Sequence, residues 1–271
     1  MKRIVLMFFV VLLSVFLAAC GSGKSDSSDQ GEVSGPYLPD QRAEAYAYTH
    51  GGYVGKAVVT VGADGSLSVD IDEAFLPQTL AIVDIESDDW SDANTVSYMS
   101  HGRESHVAKY VQYNDKVYVG VPTGTGFSYV QADENGNPAG DVDLEKAILR
   151  NHDTMRAYYA LIRAGGFAVL TGFDGEVIPV TSTSYGGVTK KDAPGYWNSG
   201  QTWLGNIEAL ETFIEEHGGQ YSLTEMVRAT EENSDGLQLW SVADTVTAAT
   251  NSDFKDYFSL VQNALGRLKT K

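Results

Sequence analysis

The sequence predicts an α+β fold on three observations. A hairpin of alternating apolar residues lies near the start of the folded part, and amphipathic helical periodicity fills much of the second half. Strands and helices do not alternate in the regular way that builds a parallel βαβ sheet. The expected architecture is a mostly antiparallel sheet with packed helices, a single domain with insertions over residues 43–271.

Taken in order, Tyr53 to Val61 is rich in β-branched residues and reads as a strand. Gly62-Ala63-Asp64-Gly65 supplies a turn. Ser66 to Asp72 then places Leu67, Val69 and Ile71 on one face, so the hairpin has one buried and one wet side. Ala81 to Ile85 reads as a third short strand. Lys109-Tyr110-Val111, an Asn114-Asp115 turn and Lys116 to Val121 suggest a further pair. Glu145 to Ala164 predicts a helix, with Ile148, Met155, Tyr158, Tyr159 and Ile162 at helical spacing and Gly165-Gly166 ending it. Phe167 to Leu170 is again a strand. Trp203 to His217 predicts a second helix, closed by Gly218-Gly219. Ser222 to Glu232 predicts a third, because Ser222 and Glu225 are spaced as a capping box. Leu237 to Val246 reads as extended. Asp253 to Leu268 is the last helix, striped by Phe254, Tyr257, Phe258, Val261, Leu265 and Leu268.

At the N-terminus, Lys2 and Arg3 precede an apolar run from Ile4 to Leu17 that is too short to span a bilayer and ends in small residues. Leu17-Ala18-Ala19-Cys20 resembles the lipobox of bacterial lipoproteins. That resemblance implies a signal peptide over residues 1–19, lipidation of Cys20, and anchoring to a cell membrane on its extracytoplasmic face. Residues 20–42 are then a flexible tether, rich in Gly, Ser and Asp. Cys20 is the only cysteine, so neither an intrachain disulfide nor a cysteine-based metal site can form. A net charge of −17 repels phosphate backbones and argues against nucleic acid as a partner.

Several motifs invite chemistry and fail on spacing. His101-Gly-Arg-Glu-Ser-His106 has its histidines five apart, where metal pairs on a helix favour three or four, and no further ligand stands nearby in sequence, so no metal is expected there. Asp133 to Leu144 looks like a calcium loop, but Pro138 replaces the bend glycine and Leu144 the final glutamate. Thr123-Gly-Thr-Gly126 lacks the third glycine and the lysine of phosphate loops. The stretch that stands out is Asp244 to Ser252, small and hydroxylated, leading into the last helix. It admits an anion site at a helix N-terminus near Thr250, or plain capping by Thr250 or Ser252 with Asp253 favouring the dipole.

Asp244-Thr-Val-Thr247-Ala248-Ala249-Thr250-Asn-Ser252 resembles the flavinylation motif of FMN-binding domains, Asp-x-x-Ser/Thr-Gly-Ala-Thr-x-Ser/Thr. Gly51-Gly52-Tyr53-Val54-Gly55, Val58-Val59-Thr60-Val61 and Asp64-Gly65 resemble the opening of the same domains. The resemblance implies an FMN-binding-domain-like fold with a curved sheet, and FMN held covalently through a phosphoester to Thr250 by a flavin transferase. It also implies site roles for Asp244, Thr247, Ala248, Ala249 and Ser252. The family's glycine is Ala248 here. A poorer copy at Thr183 to Thr189 has Gly187 in the glycine slot, and a loop explains it as well. The implied function is a lipid-anchored electron carrier, not an enzyme, passing electrons from a membrane donor to an external acceptor. The alternative is a flavin-free binding or surface-interaction lipoprotein of the same fold.

Overall fold

In the computed structural model the described residues are 36–100, 103–124, 126–180, 185–193, 196–197, 201–242 and 245–271. The lipobox, Cys20, His101, Thr183 and Asp244 lie outside them. Described residues belong to one compact unit spanning Glu32–Lys271, and no helix among them is long and apolar enough to cross a membrane.

At the centre is a three-stranded antiparallel sheet of β1 (Gln41–Thr49), β2 (Tyr53–Val61) and β3 (Leu67–Phe75), in that order. The β2–β3 hairpin follows the expected alternation, and Gly65 closes its turn at φ +78°. The β1–β2 turn holds both His50 and Gly51 in the left-handed region, at φ +49° and +73°. Gly55 on β2 allows a close approach: a Cβ there would lie 2.6 Å from Thr49 Cγ2 and 2.9 Å from Leu260 Cδ2. The two motif glycines thus have separate physical jobs, one in a turn and one under a helix.

One face of this sheet carries Ala45, Ala57, Val59, Val69 and Ile71 beneath α4 (Trp203–Glu216) and α5 (Phe254–Leu265). The other packs on α3 (His152–Arg163), around Tyr46, Val54 and Ala74. The free edge of β3 is covered by side chains: Glu215 accepts from the Val69 amide and Glu211 from the Ile71 amide, each at 2.7 Å. Further along, the segment around Thr189 bridges Ala74. Carboxylates and a short strand-like segment thereby satisfy the edge.

A second, five-stranded sheet has the order β10-β9-β6-β7-β8, from β6 (Tyr110–Tyr113), β7 (Lys116–Pro122), β8 (Phe127–Gln131), β9 (Phe167–Leu170) and β10 (Val177–Pro179). Asn114 and Asp115 form its left-handed turn at φ +49° and +60°, as the sequence predicts. Beside it is a hairpin of β4 (Thr95–Ser100) and β5 (Arg103–Ala108). Two short helices complete this region, α1 (Pro77–Leu80) and α2 (Leu144–Ile148). A third sheet joins β11 (Met226–Glu232), β12 (Gln238–Val242) and β13 (Thr245–Val246). The coarse class is α+β with antiparallel sheets.

Several expectations give way. The helix expected over Glu145–Ala164 is two, α2 and α3, because Asn151 opens a fresh capping box with Thr154. The helix expected over Ser222–Glu232 is one 3-10 turn, Leu223–Glu225, and then β11; Ser222 does cap, but pairing with β12 takes the rest. Ala81–Ile85 makes a single bridge, Ile82 to Val107, after the α1 turn. Leu237–Val246 doubles back as β12 and β13. The folded part also begins before residue 43: Leu38 N donates to Lys269 O at 3.0 Å, and β1 starts at Gln41.

Candidate cofactor-binding cleft

A cleft of about 640 Å3 opens between the β1–β2 turn, the N-terminal turns of α4 and α5, and the β11–β12 hairpin. Its size is that of a cofactor site. Thr250, Asn251, Ser252 and Asp253 form one wall, and Arg228 and Leu237 stand nearby. Tyr53, Tyr196, Trp197, Trp203 and Tyr257 supply aromatic surface.

The floor is a buried charge network around Glu73, which has no exposure. Alternation on β3 sends Asp72 toward α3, where Tyr159 donates to it at 2.7 Å, and Glu73 toward α5. One Glu73 oxygen accepts from the Thr49 hydroxyl and lies 2.9 Å from His50 Nε2. The other accepts from Lys190 Nζ at 2.6 Å and the Tyr257 hydroxyl at 2.8 Å. Burial disfavours the charged carboxylate, but the His50 contact and the Lys190 charge outweigh it and hold Glu73 down at about 2. Lys190 is buried, with its ammonium 3.6 Å from the Tyr53 ring centroid and 4.8 Å from that of Tyr196. Burial lowers its pKa despite Glu73. For His50 burial is outweighed by Glu73 and Asp253, so its pKa is raised.

The motif residues fall as follows. Thr250 lines the cleft, with its hydroxyl 3.3 Å from Asn206 Oδ1 and 3.4 Å from Gln201 Oε1. Its backbone is not free for an anion. Asn206 Oδ1 accepts from the Thr250 amide at 2.6 Å and from the Asn251 amide at 3.1 Å, which removes the free N–H groups that the anion-site alternative needs there. Neither Thr250 nor Ser252 caps α5; its N-cap is Asp253, without a side-chain bond. Thr247 is buried and donates to Trp240 O, Ala249 is fully buried, and Ser252 is exposed beside Asp253. Ala248 is exposed and its φ is not left-handed, so the backbone requires no glycine at this position; its carbonyl accepts from Gln201 Nε2 at 2.7 Å. Thr189 is buried, bridges Ala74 on β3 and does not itself line the cleft, whereas the next residue, Lys190, does.

No family model, curated protein or solved structure matches this chain.

Two features bear on a bound group. The Asn251 carboxamide is buried with neither its nitrogen nor its oxygen hydrogen-bonded, and it borders the cleft. An orphaned donor–acceptor pair of this kind costs about 1–3 kcal/mol unless a ligand or water meets it. Trp197 is 62% exposed and holds a left-handed backbone at φ +42°, presenting an open indole at the cleft. A phosphorylated, aromatic, hydrogen-bonding molecule fits this set: a hydroxyl for attachment, an unpaired amide, aromatic walls, and Arg228 as a cation. The Arg228 guanidinium donates to Thr250 O at 2.9 Å and stacks 4.4 Å from the Trp240 ring.

Sequence reasoning did not find His50, Glu73, Lys190, Asn206 or Arg228. They come from five separate segments, and a buried Glu-Lys pair at positions 73 and 190 leaves no local signature. Trp90 and Trp240 are occupied elsewhere, Trp90 in the core and Trp240 stacked on Phe254 at 4.9 Å. The Asp133 loop is a turn closed by Asp133 Oδ1, as expected. His106 lies on β5, in the β4–β5 hairpin.

Proposed function

We propose that this chain is an extracytoplasmic FMN carrier anchored at Cys20, its flavin joined to Thr250 through a phosphoester. The observation that carries this reading is the Thr250 hydroxyl on the wall of an aromatic cleft, directly followed by the unpaired Asn251 carboxamide. When bound, the flavin would supply reversible electron transfer between a membrane donor and an external acceptor. The chain's own residues then bind and orient. Arg228 would offer charge to a phosphate, the Asn251 carboxamide would meet a polar group, and Trp197, Tyr53 and Tyr196 would supply aromatic surface. Loading would form a bond from Thr250 Oγ1 to the FMN-side phosphorus of FAD, break the pyrophosphate bond and release AMP. The hydroxyl proton passes to a base on the flavin transferase.

A second reading, a flavin-free binding lipoprotein, draws on Ala248 in the glycine slot and on Asn206 sealing the Thr250 and Asn251 amides. Co-expression of the full-length chain with a flavin transferase separates the two. Ultraviolet-excited flavin fluorescence that stays with the denatured protein band supports the carrier, provided Thr250→Val abolishes it. A dark wild-type band favours the flavin-free protein.

A further inference from the structure

We propose that His50, Asp253 and Asp256 form a binding site for one zinc-class divalent cation at the first turn of α5. The proposal does not depend on the flavin, although His50 and Asp253 also line the cleft. The ligand atoms, His50 Nδ1 and one carboxylate oxygen each from Asp253 and Asp256, all lie within 4.8 Å of one another. His50 Nδ1 is 3.2 Å from Asp256 Oδ2 and 3.6 Å from Asp253 Oδ2.

The second observation is the placement of the imidazole. His50's side chain is 94% buried, being 6% exposed, and its far nitrogen Nε2 lies 2.9 Å from Glu73. Its near nitrogen Nδ1 faces Asp253 and Asp256 and is hydrogen-bonded to Asp256 Oδ2 at 3.2 Å, so a bound cation would take the place of a proton there. A carboxylate behind a histidine, fixing its tautomer and turning its other nitrogen outward, is the arrangement that supports a metal-bound imidazole. The left-handed β1–β2 turn holds the ring in place, and the Tyr257 ring packs edge-on at 4.6 Å.

Charge balance points the same way. Glu73, Asp253 and Asp256 bring three carboxylates to Lys190, the ammonium paired with Glu73, an excess of two negative charges that a protonated His50 offsets only in part. A divalent cation cancels that excess. The α5 dipole opposes it with only about half a positive charge. The two aspartates, one helical turn apart, sit on one face and are about half exposed, so open positions remain for water or substrate. One imidazole with two carboxylates suits zinc, manganese or ferrous iron; calcium, which needs six to eight oxygens, is disfavoured.

Calorimetric titration of chelator-stripped full-length chain in detergent with Zn2+ tests this, with Ca2+ as control. One Zn2+ per chain, weakened at least ~10-fold in Asp256→Asn and in His50→Asn, is the expected result. Asparagine tolerates the left-handed backbone at position 50, and Asp256 is exposed, so both variants should keep the wild-type far-UV circular dichroism. Absence of stoichiometric Zn2+ binding, or equal affinity in the wild type and Asp256→Asn, overturns the proposal and leaves His50 as a protonated bridge among carboxylates.

Discussion

Lys190→Met removes the countercharge that Glu73 receives at 2.6 Å, in a place where Glu73 has no exposure and Lys190 is only 7% exposed. Breaking a buried ion pair from one side costs about 3–5 kcal/mol, because the remaining charge stays buried. Here the Thr49 and Tyr257 hydroxyls still donate to the carboxylate, His50 Nε2 stays 2.9 Å away, and methionine fills most of the lysine volume. The expected loss at pH 7 is therefore near the lower end, about 3 kcal/mol. For a domain of this size that lowers Tm by roughly 6–12 °C. In the wild type Glu73 is held below the ordinary carboxylate range, so its stabilisation is complete above that range and disappears as pH falls toward 2. In the variant Glu73 takes a proton at mildly acidic pH, so the deficit shrinks between pH 7 and 4.5. Urea unfolding followed by tryptophan fluorescence at both pH values measures this. A loss below about 1 kcal/mol at pH 7, or a deficit that grows toward acid, refutes the network as described.

Other parts of the fold make equally direct demands. Burial pushes Glu145 up to about 7, against the hydrogen bond it accepts from the Gln78 amide. Its ionisation should thus erode stability as pH rises from the ordinary carboxylate range through 7, by up to about 3 kcal/mol. Glu145→Gln should flatten that slope in denaturation curves and be the more stable protein at pH 8. Gly55→Ala forces a Cβ against Thr49 and Leu260 and should cost about 1–3 kcal/mol by thermal melting; a neutral effect would mean α5 does not sit as closely as described. Asn206→Ala orphans the Thr250 and Asn251 amides, and hydrogen exchange should show both losing protection together.

Local pattern carried what local energetics decide. The β2–β3 hairpin was legible from its alternation and from Gly62–Gly65, and α4 and α5 from apolar stripes ended by glycine or charge. β1 was not, because Gln41–Thr49 is rich in alanine, a residue depleted in strands, and is held by β2, α3 and α5 around it. Met226–Glu232 carries buried residues three apart, Met226 and Ala229, which mimics a helix; pairing with β12 across the Gly236 turn decides for strand. At the cleft, Thr250 and its neighbours were visible because the motif is contiguous. The groups that set its electrostatics were not, since Glu73 and Lys190 meet only after β3 pairs with the segment near Thr189. The anion-site alternative at Thr250 fails for the same reason: the acceptor that closes its amides, Asn206, sits on another helix.

The carrier account rests on one covalent bond, so the most direct test is where that bond is. Full-length chain co-produced with a flavin transferase should gain the mass of a single FMN phosphoester, and tandem mass spectrometry should map it to Thr250. Ala248→Gly should load at least as readily, since the exposed Ala248 backbone already adopts an ordinary φ. A wild-type chain that gains no flavin, or one whose flavin maps to a residue other than Thr250, contradicts the account.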